Sequence, residues 1–291
     1  MNQITSQQTI TPQLREWIVA QAEAGHSAEA ILQSMRDAGW HEDTAADAME
    51  TTLTEHLARH AAAESAEAVR APRVPVPEPL PVAGMPFVDA GDRQVQVLCS
   101  MRNPRLVVFG NLLSDEECQA LIDAASPRLD RSLTVALQTG GQEVNRDRTS
   151  NGMFFSLGET PLIQRIETRI ARLLDWPEVN GEGLQVLNYQ PGAEYKPHYD
   201  YFDLGAPGTP TILKRGGQRV ATLVMYLNEP EQGGATVFPD IQLDVAPQRG
   251  NAVFFSYDRA DPDTRSLHGG APVVAGEKWI ATKWLREREF A

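Results

Sequence analysis

Apolar side chains recur at helical spacing through the first sixty residues, in three groups separated by helix-terminating residues. The first group follows Thr11 and Pro12, an N-cap residue and a proline suited to the first helical position. The second begins after Ser27 and ends at Gly39, and the third begins near Asp43. The pattern therefore predicts a small all-α bundle of three helices.

Proline dominates the segment that follows. Six prolines fall within fifteen residues, at positions 72, 75, 77, 79, 81 and 86. Such a run favours an extended, semi-rigid chain over a packed one, and a docking site for another protein is the alternative. The predicted organisation is a helical bundle at 1–62, a proline-rich linker at 63–86 and a further domain at 87–291.

From residue 87 the pattern changes to short β-type runs divided by Gly, Pro, Asp and Asn. Two helices interrupt it: Ser114 and Glu117 form a capping box before a helix ending near 125, and Thr160 precedes a second apolar helix. Beyond Trp176 no helix is predicted. Strands are predicted at 105–109, 183–190, 194–201, 218–228, 235–238, 241–245, 251–257, 271–274 and 278–285. Short strands at this spacing are typical of a sandwich or jelly roll, so the fold class is α+β, mainly β.

The net charge of the chain restricts the kinds of partner that it is expected to bind. Lysine and arginine number 26 against 39 acidic residues, which gives a net charge of −13. Three basic and nine acidic residues lie in 1–60, so about half of that charge belongs to the helical segment. A negative chain repels phosphate, which argues against nucleic acid and anionic membranes as partners.

The polar start and the lack of a long apolar run predict neither a signal peptide nor a membrane span. Two cysteines without a CxxC motif are typical of a cytoplasmic protein.

Two histidines are followed by an aspartate two residues later. His41 and Asp43 lie where the third helix is predicted to begin, and an N-cap role explains Asp43. His198 and Asp200 lie instead in a strand-like run, where side chains two residues apart leave the same face. The imidazole and the carboxylate of this second pair are therefore expected to converge.

His268 is the only other histidine of the predicted β domain. With His198 and Asp200 it would complete a facial triad of two imidazoles and one carboxylate, the set that holds non-haem Fe(II) with open positions. Gly269 and Gly270 follow it, and glycine permits the close approach of a neighbouring backbone. Spacing alone leaves an alternative open, namely a surface histidine beside a turn and a separate, salt-bridged strand end.

Lys278 opens a strand-like run in which alternate residues share a face. A lysine that points into an apolar interior is costly unless an anion binds it. Tyr189 and Thr222 lie in other strand-like runs, and their hydroxyls together with Lys278 would satisfy a buried carboxylate. Ordinary core positions for Tyr189 and Thr222, and a solvated strand start for Lys278, are the alternatives.

Residues 100–288 resemble the prolyl 4-hydroxylase branch of the Fe(II)/2-oxoglutarate-dependent dioxygenases. Five segments carry the resemblance in order: LNYQPGAEYKPHYDYF at 187–202, RVATLVMYLN at 219–228, GGATVFP at 233–239, LHGGAP at 267–272 and GEKWIATKW at 276–284. The resemblance implies a double-stranded β-helix (jelly-roll) core with flanking helices and with iron at its open end.

The resemblance also implies roles for individual residues. By match to its motifs, His198, Asp200 and His268 are the iron ligands. Lys278 would bind the distal carboxylate of 2-oxoglutarate, supported by Tyr189 and Thr222. O2 is the other cosubstrate, succinate and CO2 are the products, and a requirement for ascorbate is left open. Because related halogenases lack this carboxylate, Asp200 favours hydroxylation.

The substrate side is implied in less detail. The family closes a mobile loop over a proline-containing peptide, and residues 138–150 are the candidate loop here. The candidate peptide contacts are Tyr195, Arg148, Arg219 and Trp284. A structural role is the alternative for each of them.

The helical bundle lies outside the resemblance and is expected to recruit a protein partner or substrate. His56 and His60 lie one turn apart on the third helix, but no third ligand is evident, so a metal site is not expected there.

The expected function is hydroxylation of prolyl residues in a peptide or protein. The same chemistry on a non-prolyl acceptor is one alternative. A non-catalytic binding or adaptor protein on the same fold is another, and the intact set of His198, Asp200, His268 and Lys278 argues against it. A protein that only binds has no need of all four.

Overall fold

A computed structural model describes residues 9–69, 72–79, 85–131, 134–135, 142–143 and 148–291. The backbone divides into two compact units, Met1–Arg70 and Ala71–Ala291. The boundaries expected from composition, after residues 62 and 86, stay predictions.

Three helices form the described part of the first unit: α1 at Pro12–Glu23, α2 at Ala28–Asp37 and α3 at Glu42–Val69. Two of the three predicted N-caps are present, since Thr11 accepts a hydrogen bond from the amide of Leu14 at 3.2 Å and Ser27 accepts one from Ala30 at 3.3 Å. Apolar side chains from the three helices meet in a small core of Ile18, Ile31, Met35, Ala45 and Ala48.

The start of α3 differs from the prediction. The amide of Ala45 donates to the carbonyl of His41 at 2.9 Å, so Asp43 lies inside the first turn and is not the N-cap. A carboxylate in the first turn still interacts favourably with the helix dipole. Among the described residues, no group of three metal-ligating side chains includes His56, and the side chain of His60 lies outside them.

The described part of the proline-rich segment, residues 72–79, packs against the rest of the second unit. The amide of Val74 donates to the carbonyl of Asp258 at 2.7 Å, and Glu78 accepts a hydrogen bond from Nε of Arg105 at 2.8 Å. Pro77 and Pro79 are buried. The expectation of an unpacked spacer is wrong here, because prolines bury apolar surface with little loss of backbone entropy.

The second unit contains helices α4 (Asp115–Ala125) and α5 (Pro161–Leu174), the single turn α6 (Thr209–Ile212) and many short strands. In chain order, β1 to β17 span Phe87–Asp89, Gln94–Met101, Arg105–Gly110, Asp130–Arg131, Thr134–Val135, Gln142–Glu143, Asn151–Phe155, Leu184–Tyr189, Tyr195–His198, Arg219–Tyr226, Gln232–Gly233, Thr236–Phe238, Leu243–Val245, Ala252–Ser256, His268–Gly270, Val273–Ala275 and Lys278–Arg286. Every predicted strand overlaps an observed one, whereas β1, β2, β4, β5, β6, β7, β11, β15 and α6 are not predicted. No helix in the described ranges is long and apolar enough to cross a membrane.

The strands pair antiparallel in two main sheets. The major sheet has nine strands in the order β1-β2-β3-β14-β10-β17-β8-β7-β4, and the minor sheet has four in the order β13-β12-β15-β9. An apolar layer joins their facing sides, with Tyr226 and Phe255 from the major sheet and Phe238 and Val245 from the minor sheet. Two antiparallel sheets packed face to face give the mainly β layout that the strand spacing predicts.

Helices α4 and α5 cover the outer face of the major sheet. The predicted capping box is present, since Ser114 and Glu117 exchange hydrogen bonds of 3.0 and 3.1 Å between side chain and amide. Leu121 of α4 and Ile166 of α5 are fully buried in one core with Phe254 of β14. This face is therefore structural, and the face toward the minor sheet carries the candidate site.

Candidate metal centre and adjoining pocket

Three candidate metal ligands lie together at one end of the minor sheet. His198 ends β9 and His268 begins β15, and the two Cα atoms are partners across these strands. The Asp200 carboxylate lies 3.6 Å from Nε2 of His198 and 3.4 Å from Nε2 of His268. One ligand atom from each residue lies within 4.8 Å of the others. The structure thus brings together the three side chains chosen from spacing.

Gly269 lets the two histidine strands approach this closely. A Cβ atom at this position would lie 2.8 Å from the carbonyl oxygen of Tyr195 and 3.0 Å from the backbone nitrogen of Pro197. Both atoms belong to the backbone of the β9 strand and cannot turn aside. A larger residue at 269 would therefore separate β15 from β9 and move His268 away from His198.

The imidazoles are oriented by backbone carbonyls. Nδ1 of His198 lies 2.8 Å from the carbonyl oxygen of Lys196, and Nδ1 of His268 lies 3.0 Å from that of Ser266. A carbonyl only accepts, so each Nδ1 carries the proton and each Nε2 presents a lone pair toward Asp200. Two neutral imidazoles and one carboxylate are the donor set of a non-haem Fe(II) site, so these residues fit that metal.

Burial and mutual contact favour the protonation states that a metal needs. Burial lowers the pKa of His198, and the neighbouring His268 acts in the same direction. Burial opposes ionisation of Asp200, but the contact with His268 and His198 holds its pKa well below the usual range. The site therefore offers an ionised carboxylate, and metal binding requires deprotonated ligands.

Lys278 lies in the same pocket as the triad. It is the first residue of β17 and only 3% exposed, and its Nζ lies 5.6 Å from the ring centre of Tyr189 and 5.9 Å from that of Tyr226. Burial lowers its pKa to about 8, and no carboxylate of the described residues contributes to that pKa. A buried ammonium without a counter-ion is costly, so this end of the pocket fits an anionic ligand such as 2-oxoglutarate.

Thr222 does not lie beside Lys278 in the pocket. Its hydroxyl lies 2.7 Å from Oδ2 of Asp200 and 2.9 Å from the phenol oxygen of Tyr257. The cross-strand partner of Thr222 on β17 is Trp284, six residues beyond Lys278 and about 20 Å along the strand. The sequence prediction grouped Thr222 with Lys278 wrongly, because strand register and not residue type decides which threonine is near the lysine.

Thr236 is the threonine at the lysine end of the pocket. It accepts a hydrogen bond from the phenol of Tyr226 at 2.8 Å and pairs across strands with Gly270, where a Cβ atom would lie 3.9 Å from Nζ of Lys278. No role is predicted for Thr236 from the sequence, although the GGATVFP motif at 233–239 contains it.

Two candidate substrate contacts, Tyr195 and Arg148, lie at the triad end. The ring of Tyr195 stacks on the imidazole of His198 with 3.7 Å between centroids. The guanidinium of Arg148 lies 5.2 Å from the centre of the Tyr195 ring and donates a 2.8 Å hydrogen bond to Gln185. Both residues line the pocket beside the candidate metal ligands.

Arg219 and Trp284 form a stacked pair. The guanidinium of Arg219 lies 4.1 Å from the centre of the Trp284 ring and makes two hydrogen bonds to Glu182, of 2.7 and 2.9 Å. Trp284 lines the pocket, whereas Arg219 lies behind it and reaches Oδ1 of Asp200 at 3.9 Å. Nε1 of Trp284 is buried and has no hydrogen-bond partner among the described residues.

The predicted mobile loop, residues 138–150, falls largely outside the described residues. Residues 142–143 form β6, and 148–150 are described up to the start of β7. Its closure over a substrate stays a prediction.

Comparison with known proteins places these features in a family. The model of the 2OG-Fe(II) oxygenase superfamily matches residues 184–286, which include the triad and Lys278. Prolyl 4-hydroxylase 5 of Arabidopsis thaliana is 42% identical over 221 residues, which cover 69% of this chain and 74% of the relative. Prolyl 4-hydroxylase 1 of the same plant is 44% identical over 203 residues, or 64% of this chain and 70% of the relative.

Among solved structures, the 2OG complex of the viral collagen prolyl hydroxylase of Paramecium Bursaria Chlorella virus-1 is 33% identical, with a TM-score of 0.48. The alignment covers 62% of this chain and 95% of the viral chain. On the extent and identity of its sequence relatives, the chain belongs to the prolyl 4-hydroxylase family of 2OG-Fe(II) oxygenases.

Proposed function

We propose that this protein hydroxylates prolyl residues in a peptide or protein, using Fe(II), 2-oxoglutarate and O2 and releasing succinate and CO2. One observation carries the proposal: a two-histidine, one-carboxylate cluster and a buried lysine without a carboxylate partner among the described residues line the same pocket. Both elements lie within residues 184–286, which match the 2OG-Fe(II) oxygenase superfamily, and the sequence relatives are prolyl 4-hydroxylases.

His198, Asp200 and His268 would hold the metal. The Nε2 atoms of the two histidines face the Asp200 carboxylate. The backbone carbonyls that accept hydrogen bonds from each Nδ1 keep the Nε2 lone pairs directed toward this carboxylate. When bound, Fe(II) with 2-oxoglutarate supplies the oxidising chemistry, and the protein supplies position and a water-poor cavity.

The lysine end of the pocket would bind 2-oxoglutarate. Lys278 contributes a charge-assisted hydrogen bond to the distal carboxylate, and the Tyr189 ring against which the ammonium lies limits its movement. Thr236, whose hydroxyl is oriented by Tyr226, replaces Thr222 as the proposed hydroxyl ligand. The side chains between the two ends are mostly apolar, as Leu187, Val224 and Ile280 are. They would shield the ionic contact from water.

The substrate would lie against Tyr195, Arg148 and Trp284. These residues flank the triad end of the pocket, and Trp284 offers an indole N–H that has no protein acceptor among the described residues. We propose that a peptide carbonyl accepts this hydrogen bond. Arg219 would act through Trp284, because Glu182 already binds its guanidinium in a fork-like pair.

Three finer expectations from the sequence stay proposals. The first unit, helices α1 to α3, would recruit a partner or substrate protein, and the test is whether removing residues 1–69 impairs turnover of a protein substrate more than of a short peptide. Ascorbate would extend the number of turnovers. A cytoplasmic location, without nucleic-acid or membrane partners, rests on charge and cysteine content alone.

The test is incubation of the full chain with Fe(II), 2-oxoglutarate and a panel of proline-containing peptides. A peptide mass increase of one oxygen atom, matched by release of succinate, supports the proposal. Turnover of 2-oxoglutarate with no modified prolyl peptide would indicate a different acceptor, and absence of iron binding would favour the non-catalytic alternative. The variant His198→Ala should abolish both signals, whereas the matched control His41→Ala, on the first unit, should retain them.

A further inference from the structure

A buried chain of two hydroxyl groups contacts the Asp200 carboxylate. Thr222, in the middle of β10, is fully buried, and its Oγ1 lies 2.7 Å from Oδ2 of Asp200 and 2.9 Å from the phenol oxygen of Tyr257. Tyr257 is also buried and follows β14 directly. Asp200 itself lies beyond the end of β9, so ladder hydrogen bonds do not fix its backbone.

The direction of each hydrogen bond follows from the groups present. An ionised carboxylate only accepts, so the single proton of the Thr222 hydroxyl is donated to Asp200. Tyr257 must then donate its own proton to the oxygen of Thr222. The chain Tyr257 to Thr222 to Asp200 is therefore polarised in one direction, which strengthens the contact at the carboxylate.

The remaining neighbours of Asp200 leave its orientation dependent on this chain. Nε2 of His198 lies 3.6 Å from Oδ1, Nε2 of His268 lies 3.4 Å from Oδ2, and Nη1 of Arg219 lies 3.9 Å from Oδ1. Among the described residues, Thr222 makes the shortest of these contacts and lies on a rigid central strand. The Thr222 hydroxyl is thus the contact best placed to stop rotation of the carboxylate.

We propose that Thr222 and Tyr257 are positioning residues that hold Asp200 in its metal-binding orientation, which raises the affinity of the triad for a divalent metal. This inference rests on the metal site of the proposed function. A second pair allows a matched comparison: Tyr226 and Thr236 form the same tyrosine-to-threonine hydrogen bond at 2.8 Å, but near Lys278 and without contact to Asp200.

The experiment measures binding of Mn(II) to metal-free protein by calorimetry, without cosubstrate, for the wild type and four variants. Thr222→Val should bind Mn(II) about 10–100-fold more weakly, the usual loss when a group supporting a metal ligand is removed. Thr222→Ser, which keeps the hydroxyl, should restore most of the affinity. Tyr257→Phe should lose less than Thr222→Val, and Tyr226→Phe should match the wild type. Circular dichroism establishes that each variant is folded.

Two results would overturn the inference: Mn(II) affinity of Thr222→Val equal to that of the wild type, or equal losses in Tyr257→Phe and Tyr226→Phe. The second result would mean that the loss reflects general core damage. If Thr222→Val does not fold, the comparison of Tyr257→Phe with Tyr226→Phe still decides. Failure of the wild type itself to bind Mn(II) would instead contradict the proposed metal site, so the two failures are distinguishable.

Discussion

Lys278 and Tyr189 are Cα partners across β17 and β8, and the lysine ammonium lies 5.6 Å from the centre of the tyrosine ring. The ring face stabilises a cation but does not neutralise it. The charge of Lys278 is therefore available to bind the carboxylate of a ligand. Because Lys278 and the triad line the same pocket, the distance between them sets the length of a ligand that can contact both.

Replacing this lysine should selectively weaken cosubstrate binding. In Lys278→Met, the affinity of Mn(II)-loaded protein for 2-oxoglutarate should fall about 10–100-fold, the loss expected for one charge-assisted hydrogen bond. Calorimetry with 2-oxoglutarate measures this, and Mn(II) affinity should not change. Lys283→Met is the matched control, because Lys283 is equally buried on the same strand but pairs with Glu167 on the opposite face. Equal losses in both variants would contradict the assignment.

Cosubstrate affinity should also depend on pH. Burial lowers the pKa of Lys278 to about 8, so the unligated site loses its positive charge as pH rises through that value. Affinity for 2-oxoglutarate should be higher at about pH 7 than at about pH 9. The same shift means that the unligated fold gains stability between about pH 8 and the ordinary lysine pKa, since the unfolded chain binds the proton more tightly there. If the affinity of Lys278→Met for 2-oxoglutarate depended on pH as that of the wild type does, titration of Lys278 would not be the cause.

The buried pair of Glu117 and Arg169 should control acid stability. Burial opposes ionisation of Glu117, but two 2.8 Å hydrogen bonds from Arg169 lower its pKa to about 2. A lowered carboxyl pKa stabilises the fold above the unfolded value, and this contribution disappears as pH falls toward about 2.

The variant Glu117→Gln should lose about 3 kcal/mol at neutral pH, because it leaves a buried cation with one partner fewer. Its stability should also fall less steeply in acid, as urea unfolding at several pH values would show. Arg165→Gln is the control: that arginine contacts the same carboxylate from a half-exposed position and should cost less than about 1 kcal/mol. A loss of unfolding free energy in Glu117→Gln as small as that in Arg165→Gln would contradict the role of the Glu117–Arg169 pair.

The indole N–H of Trp284 should contribute to binding of the peptide. Trp284→Phe keeps an aromatic ring against Arg219 but removes the buried donor. The KM for a peptide substrate should rise about 2–10-fold, as for loss of one neutral hydrogen bond, with 2-oxoglutarate affinity unchanged. Trp279→Phe, on the same strand but facing the α4–α5 core, is the matched control and should retain the wild-type KM. An unchanged KM in Trp284→Phe would show that the donor does not meet the substrate.

Local periodicity indicated part of the candidate site, and the resemblance of residues 100–288 to a known family assigned its roles. The two-residue spacing of His198 and Asp200 placed them on one side of a chain segment, and period two placed Lys278 on the face of Trp284. The strands that carry these residues were also evident from their apolar runs. The first-unit helices followed from Thr11 and Ser27, because an N-cap acts on amides only two or three residues away.

Features that depend on strand register or on distant contacts were not predictable in this way. Thr222 and Thr236 both lie in apolar strands, and only the pairing of β10 with β17 and of β12 with β15 shows that the first meets Asp200 and the second lies near Lys278. The packing of residues 72–79 was missed for the same reason. Its partners, Asp258 and Arg105, are remote in the sequence.

In the proposed function, the triad and Lys278 form one dioxygenase site acting on prolyl residues. The most direct measurement is the fate of isotopically labelled O2 when the full chain turns over a proline-containing peptide with Fe(II) and 2-oxoglutarate. We expect one labelled oxygen atom in the hydroxylated prolyl residue and one in succinate, in equal amounts, with neither product in His198→Ala. Labelled succinate from a full peptide panel without any label in a prolyl residue would contradict it.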